Sequence, residues 1–222
     1  MDSKKELNTL INQSNLSNWD LSFVERIEAF QKVHGSDFDT RFKCQNQIGV
    51  SYHMNGMHQK SLDHLLPLMA FREKIEDLTF ANLVLNVLES LTHLDQENKA
   101  KAIFEKYVSD PAFESLFQSE AILVWYIKAL NPSEEELKKY ESKVEKLSRD
   151  LGFISSKKTL NEKVLDLKAV NLRANQRFSE ITIASQNQNP SDTLEELQLF
   201  LNSNPPDFYK KIAIDFRKSL LD

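Results

Sequence analysis

His53, His58 and His64 fall within twelve residues of one another, and His93 follows further along the chain. Imidazole nitrogens are common metal ligands, and a helical site holds them at i and i+3 or i+4 so that they share a face. Here the spacings are five and six, and Gly56 interposes a turn. The chain has no His-Glu-x-x-His pattern and no cysteine pair. These imidazoles are expected to be solvated surface groups, and no metal is expected. Cys44 is the single cysteine. A reactive thiol needs a cationic or helix-N-terminal setting and a base nearby. Arg41 and Lys43 are close in sequence, but no local motif pairs Cys44 with a histidine, so it reads as a partly buried structural thiol. With 4 glycines in the chain and no glycine-rich fingerprint, a backbone cradle for phosphate is not expected. Carboxylate runs such as Glu134-Glu135-Glu136 read as solvated helix faces rather than acid/base pairs. The residues that could do chemistry thus predict no catalytic site, no cofactor and no enzyme.

The elements that carry these residues are expected to be helical throughout. The 222 residues include only 4 Gly and 6 Pro, which disfavours a strand-rich fold with many tight turns. The pattern predicts helices near 3–13, 20–34, 39–55, 59–75, 78–94, 97–109, 112–130, 133–150, 157–186, 192–202 and 207–221. Ser133 with Glu136 forms a capping-box pattern, and Asp192 with Glu195 repeats it. Gly35 and Gly152 suit helix C-termini. The links are short, so neighbouring helices should run antiparallel. The most apolar run, Ile122 to Ile127, is far shorter than the roughly 20 residues that a membrane span needs. The 28 basic and 33 acidic residues are intermixed, for a net charge of −5, so neither nucleic acid nor anionic lipid is an expected partner. The polar start of the chain has no apolar signal segment, and the lone cysteine fits a reducing compartment, so the expected location is cytoplasmic.

One stretch carries a more specific pattern. From Ile48 the chain reads Ile48-Gly49-x-x-Tyr52, then Gly56, then Ser61-Leu62-x-x-Leu65-x-x-Leu68. Small residues at Gly49 and Ser61 would let two antiparallel helices approach closely, with Tyr52, Leu65 and Leu68 filling the space around the contact. This resembles the tetratricopeptide (TPR) repeat. A second, diverged copy runs through Ala100-Lys101-Ala102-Ile103-Phe104 to Pro111, with Leu88 where the family has a small residue. The resemblance implies antiparallel helix pairs stacked as a right-handed superhelix with a C-terminal helical extension. Residues 1–152 would form the repeat region, with the best repeat at 42–75 and the diverged one at 81–111. A boundary is expected near Ser155-Ser156, followed by a C-terminal helical region over 156–222 with one long helix.

In that family the first helix of each pair lines a concave groove that binds polypeptides. Carried over by position, the groove residues are Lys43, Asn46, Val50 and His53 in the first copy and Asn82, Leu85, Glu89 and Thr92 in the second. Such a mixed polar and apolar surface suits peptide recognition; the same residues also read as an ordinary exposed helix face. Lys43 and Asn46 echo the family's carboxylate clamp, but Val50 and Glu89 oppose it, so recognition of a C-terminal carboxylate is not expected.

Within 157–186, Leu160, Val164, Leu167, Asn171, Ala174, Phe178 and Ile181 step by fours and threes, a heptad seam with one polar residue. Leu165 and Leu172 widen the stripe, which favours docking within the chain over pairing with a second copy. The expected function is a monomeric, non-catalytic adaptor that binds a protein or peptide, of the immunity-protein, secretion-chaperone or regulator type. The alternative is a self-associating helical bundle that dimerises through the 157–186 helix.

Overall fold

Caps and prolines set most of the helix ends. The computed structural model describes residues 3–221, which form twelve α-helices, two 3-10 segments and no strand. In order these are α1 (Ser3–Leu16), α2 (Ser22–His34), α3 (Phe38–Met54), α4 (His58–Leu65), a 3-10 segment (Leu66–Lys74), α5 (Asp77–His93) and α6 (Glu97–Tyr107). A short 3-10 turn (Pro111–Phe113), α7 (Leu116–Leu130), α8 (Glu134–Lys138), α9 (Glu141–Leu151), α10 (Leu160–Ala184), α11 (Pro190–Asn202) and α12 (Asp207–Ser219) follow.

Ser133 and Glu136 form the expected capping box, and Thr159 with Glu162 forms a second one at the start of α10. Gly152 ends α9 in the left-handed region at φ 70°. Three expectations are corrected. Asn189, not Asp192, caps α11: its side chain accepts the Asp192 N–H at 3.0 Å. Pro190 has no N–H to lose at the first helical position, so the helix starts earlier than the acidic pair suggested. The helix expected over 59–75 stops at Leu65, because Pro67 removes a donor from the i→i−4 ladder and the chain tightens into 3-10 geometry. The helix expected over 133–150 breaks at Lys139–Tyr140 into α8 and α9.

The chain forms two compact units, divided between Gln118 and Ser119 rather than near Ser155. In the first unit α3 is the hub, in contact with α1, α2, α4 and α5. Leu7, Leu10, Val24, Ile27, Phe30, Cys44 and Ile48 make a continuous apolar cluster between α1, α2 and α3. The α3–α4 contact is close because Gly49 has no side chain: a Cβ there would lie 2.4 Å from Leu65 Cδ2. Ser61, on the facing helix, is fully buried. Arg72 pins the 3-10 segment. Its Nε donates to Asp110 at 2.9 Å, its Nη1 donates to the Ile75 carbonyl at 3.0 Å, and its guanidinium lies 4.6 Å from the Phe80 ring centre. Burial alone would raise the Asp110 pKa, but the hydrogen bonds from Arg72 and the Ala112 N–H hold it below the usual carboxylate value.

In the second unit α10 is the hub, in contact with α8, α9, α11 and α12. The seam residues Leu160, Val164, Leu167, Asn171, Ala174 and Ile181 are buried within this unit. Asn171 is satisfied on both sides of its amide. Its Nδ2 donates to Glu120 Oε2 at 2.6 Å, and its Oδ1 accepts from the Tyr209 hydroxyl at 2.8 Å. Residues Ile122 to Ile127 of α7 are all buried, as an all-round apolar stretch requires. No helix among the described residues is long and apolar enough to cross a membrane.

Candidate binding groove

Lys43, Asn46, Val50 and His53 step by threes and fours, so they share one face of α3. Asn82, Leu85, Glu89 and Thr92 do the same on α5, which packs beside α3. A cleft of about 550 Å³ opens at the N-terminal end of this face, between α1, α3 and the joint that leads into α5. Lys43 and Asn46 line it, together with Phe38, Asp39, Phe42 and Gln47 of α3. Asn8 and Ile11 of α1 form a second wall, and Lys74, Ile75, Glu76 and Thr79 form the third.

The walls are held by specific contacts. Gln47 is buried and donates through Nε2 to Asn15 Oδ1 at 2.7 Å, which ties α3 to α1. Phe38 packs on Phe42 and on Phe71, with ring centres 5.9 and 5.1 Å apart, and the Lys74 ammonium lies 5.1 Å from the Phe38 ring centre. The cleft therefore combines an aromatic wall with two cations, Lys43 and Lys74, and two anions, Asp39 and Glu76. The aromatic wall was missed from the sequence, although Phe38 and Phe42 stand at i and i+4 on one helix.

At the other end of the face the expectation is corrected. His53 is not a solvated surface group: its side chain is 9% exposed. Its Nε2 lies 3.1 Å from Glu89 Oε2 and its Nδ1 lies 2.9 Å from Ser90 Oγ. With Nε2–H donating to the carboxylate, Nδ1 accepts from the serine hydroxyl, so a neutral ring is satisfied at both nitrogens. His53 and Glu89 are thus joined to each other across α3 and α5. Thr92 donates its hydroxyl to the Leu88 carbonyl at 2.9 Å. Asn82, Leu85 and Thr92 do not line the cleft; Asn82 is exposed and Leu85 half-buried.

The histidines group differently from their order in the chain. His58 lies 5.5 Å from His53 and stacks on His93 at 4.3 Å, with the rings only 9° from parallel. His64 faces elsewhere, with Nδ1 2.7 Å from Gln45 Oε1 and its ring 5.6 Å from Tyr52. Ring nitrogens carry their lone pairs in the ring plane, so parallel stacked imidazoles do not converge on one ion. Among the described residues no group of three or more His, Cys, Asp or Glu side chains is arranged to hold a metal. Cys44 is fully buried; burial, helped by Asp37, pushes its thiol up to about 11. A thiol so protonated and enclosed is a core side chain, not a nucleophile.

Comparison of the chain with protein-family models, with curated proteins and with solved structures finds no match.

Proposed function

We propose that the chain is a non-catalytic protein that binds an extended segment of another polypeptide in the cleft between α1, α3 and the start of α5. The observation that carries this reading is the cleft itself. Its 550 Å³ and its mixture of aromatic, amide and oppositely charged side chains suit a peptide with an apolar anchor flanked by polar groups. Support for a TPR-like arrangement comes from the α3–α4 approach at Gly49, the buried Ser61 and the side-by-side packing of α3 and α5. The lone, buried cysteine fits a protein of a reducing compartment. The alternative, self-association through α10, is disfavoured because that helix spends its apolar seam inside its own unit.

The test is selection of peptides from a random display library, followed by affinity measurement with labelled synthetic copies. Selected peptides should share an aromatic or large aliphatic residue. Lys43→Glu combined with Asn46→Ala should weaken them at least about tenfold while leaving the circular-dichroism melt unchanged. Full-strength binding by the double variant would move the site away from this cleft. His53 is left intact in this design, because its bonds to Glu89 and Ser90 make any change there structural as well.

A further inference from the structure

We propose that a pocket in the second unit binds a small amphipathic anion, an apolar body carrying one carboxylate or phosphate. The pocket encloses about 390 Å³ between α10, the link that follows α9 and the link between α11 and α12. Its charged lining is Arg173, Arg177 and Lys210, with no acidic side chain. That is a departure for a chain of net charge −5 whose charges are otherwise mixed.

Two of the three cations are already offset. Arg177 pairs with Glu196 and, at 3.5 Å, with Glu180; Lys210 pairs with Asp207 at 2.8 Å. Arg173 is exposed and has no hydrogen-bond or ion-pair partner among the described residues. It stands one helical turn from Arg177 on the same face of α10, so the one cation of the pocket without a carboxylate lies beside one that is already paired. A guanidinium presents a planar fork of donors that matches a carboxylate or phosphate.

The body of the ligand would rest on Phe153, Val170 and Phe200. The walls are built in advance of any ligand. Pro205 and Pro206 are buried, Asn204 holds a left-handed φ of 54°, and Gly152 admits Asp207 so closely that a Cβ would lie 2.4 Å from Asp207 Cβ. A preformed pocket of this size, apolar with a few convergent polar groups, is the ordinary form of a small-molecule site. The unpartnered guanidinium selects the sign of the ligand.

The experiment titrates the whole chain, labelled with nitrogen-15, with phenylacetate, phenyl phosphate, phenylacetamide and phenethylamine. One or both anions should give saturable amide shifts at Gly152, Phe153, Arg173 and Asn204, and which anion binds more tightly distinguishes a carboxylate ligand from a phosphate one. The neutral amide and the amine should bind at least about tenfold more weakly. Arg173→Gln, at an exposed position, should leave the thermal melt intact and weaken the anion by about tenfold. Absence of shifts at these residues, equal binding of the amide, or unchanged affinity in Arg173→Gln would overturn the proposal.

Discussion

At the His53–His58–His93 cluster, three imidazoles and the Glu89 carboxylate share a small space. Burial lowers the His58 pKa below its ordinary value of 6.5, the neighbouring His93 and His53 lower it further, and Glu89 opposes them. His64 is also lowered by burial, against Glu28 and Asp63. A base held below its unfolded pKa contributes stability above that value, about 6.5, and the contribution is lost as pH falls through the folded value. Glu89 behaves in the same sense: the hydrogen bond from His53 lowers its pKa against burial, so its contribution is lost only as pH falls below about 4.5, the ordinary carboxylate value. The melting temperature should therefore drop between about pH 7.5 and pH 5.5. His58→Phe keeps a ring against His93 and removes one titrating group, so its drop should be smaller. Melts of both forms at the two pH values check this, and equal drops would mean that His58 does not contribute to the loss of stability.

At the scale of elements, the α3–α4 pair shows two opposing effects whose sizes decide the outcome. Replacing a helical glycine ordinarily stabilises a helix by up to about 1 kcal/mol. At Gly49, however, any side chain meets Leu65, itself fully buried, at 2.4 Å. Overpacking a filled core costs about 1–3 kcal/mol, occasionally more, so the steric term wins. Gly49→Leu should lower the chemical-denaturation midpoint, and an unchanged midpoint would remove Gly49 from the helix contact. The 3-10 segment after Leu65 follows a different logic. Pro67 ends the α-helical ladder, and the Arg72 hydrogen bonds to Asp110 and the Ile75 carbonyl hold the chain so that Lys74, Ile75 and Glu76 reach the cleft.

For the whole molecule, the question is whether the α10 seam pairs two chains. Leu160, Val164, Leu167, Ala174 and Ile181 of the seam are buried within its own unit, and Asn171 bonds Glu120 and Tyr209 there. Phe178 is half-buried, and Leu165 and Leu172, expected to widen the stripe, are exposed. Burial raises the Glu120 pKa, and the Asn171 bond is the main opposing influence. Asn171→Leu would strand a carboxylate and a hydroxyl, at a cost of about 1–3 kcal/mol. Light scattering over a concentration series should give the chain mass of 25.7 kDa for both forms, with only stability changed. A concentration-independent dimer of the unmodified chain would overturn that expectation.

Helix content, the start of α8 at Ser133, the turn at Gly56 and the close contact at Gly49 were legible in the sequence, because each depends on neighbours a few residues away or on the absence of a side chain. The heptad seam was equally legible as an apolar stripe, but not what covers it. Capping at Asn189 was a local signal misassigned to Asp192, since two overlapping patterns compete there and Pro190 settles the choice. The stacking of His58 on His93, the His53–Glu89 bond, the Phe38–Phe71 wall and the Arg72–Asp110 pair join residues about 30 to 40 positions apart. No periodicity encodes such pairs. They exist because helix packing brings distant faces together, and only the tertiary structure decides which ones.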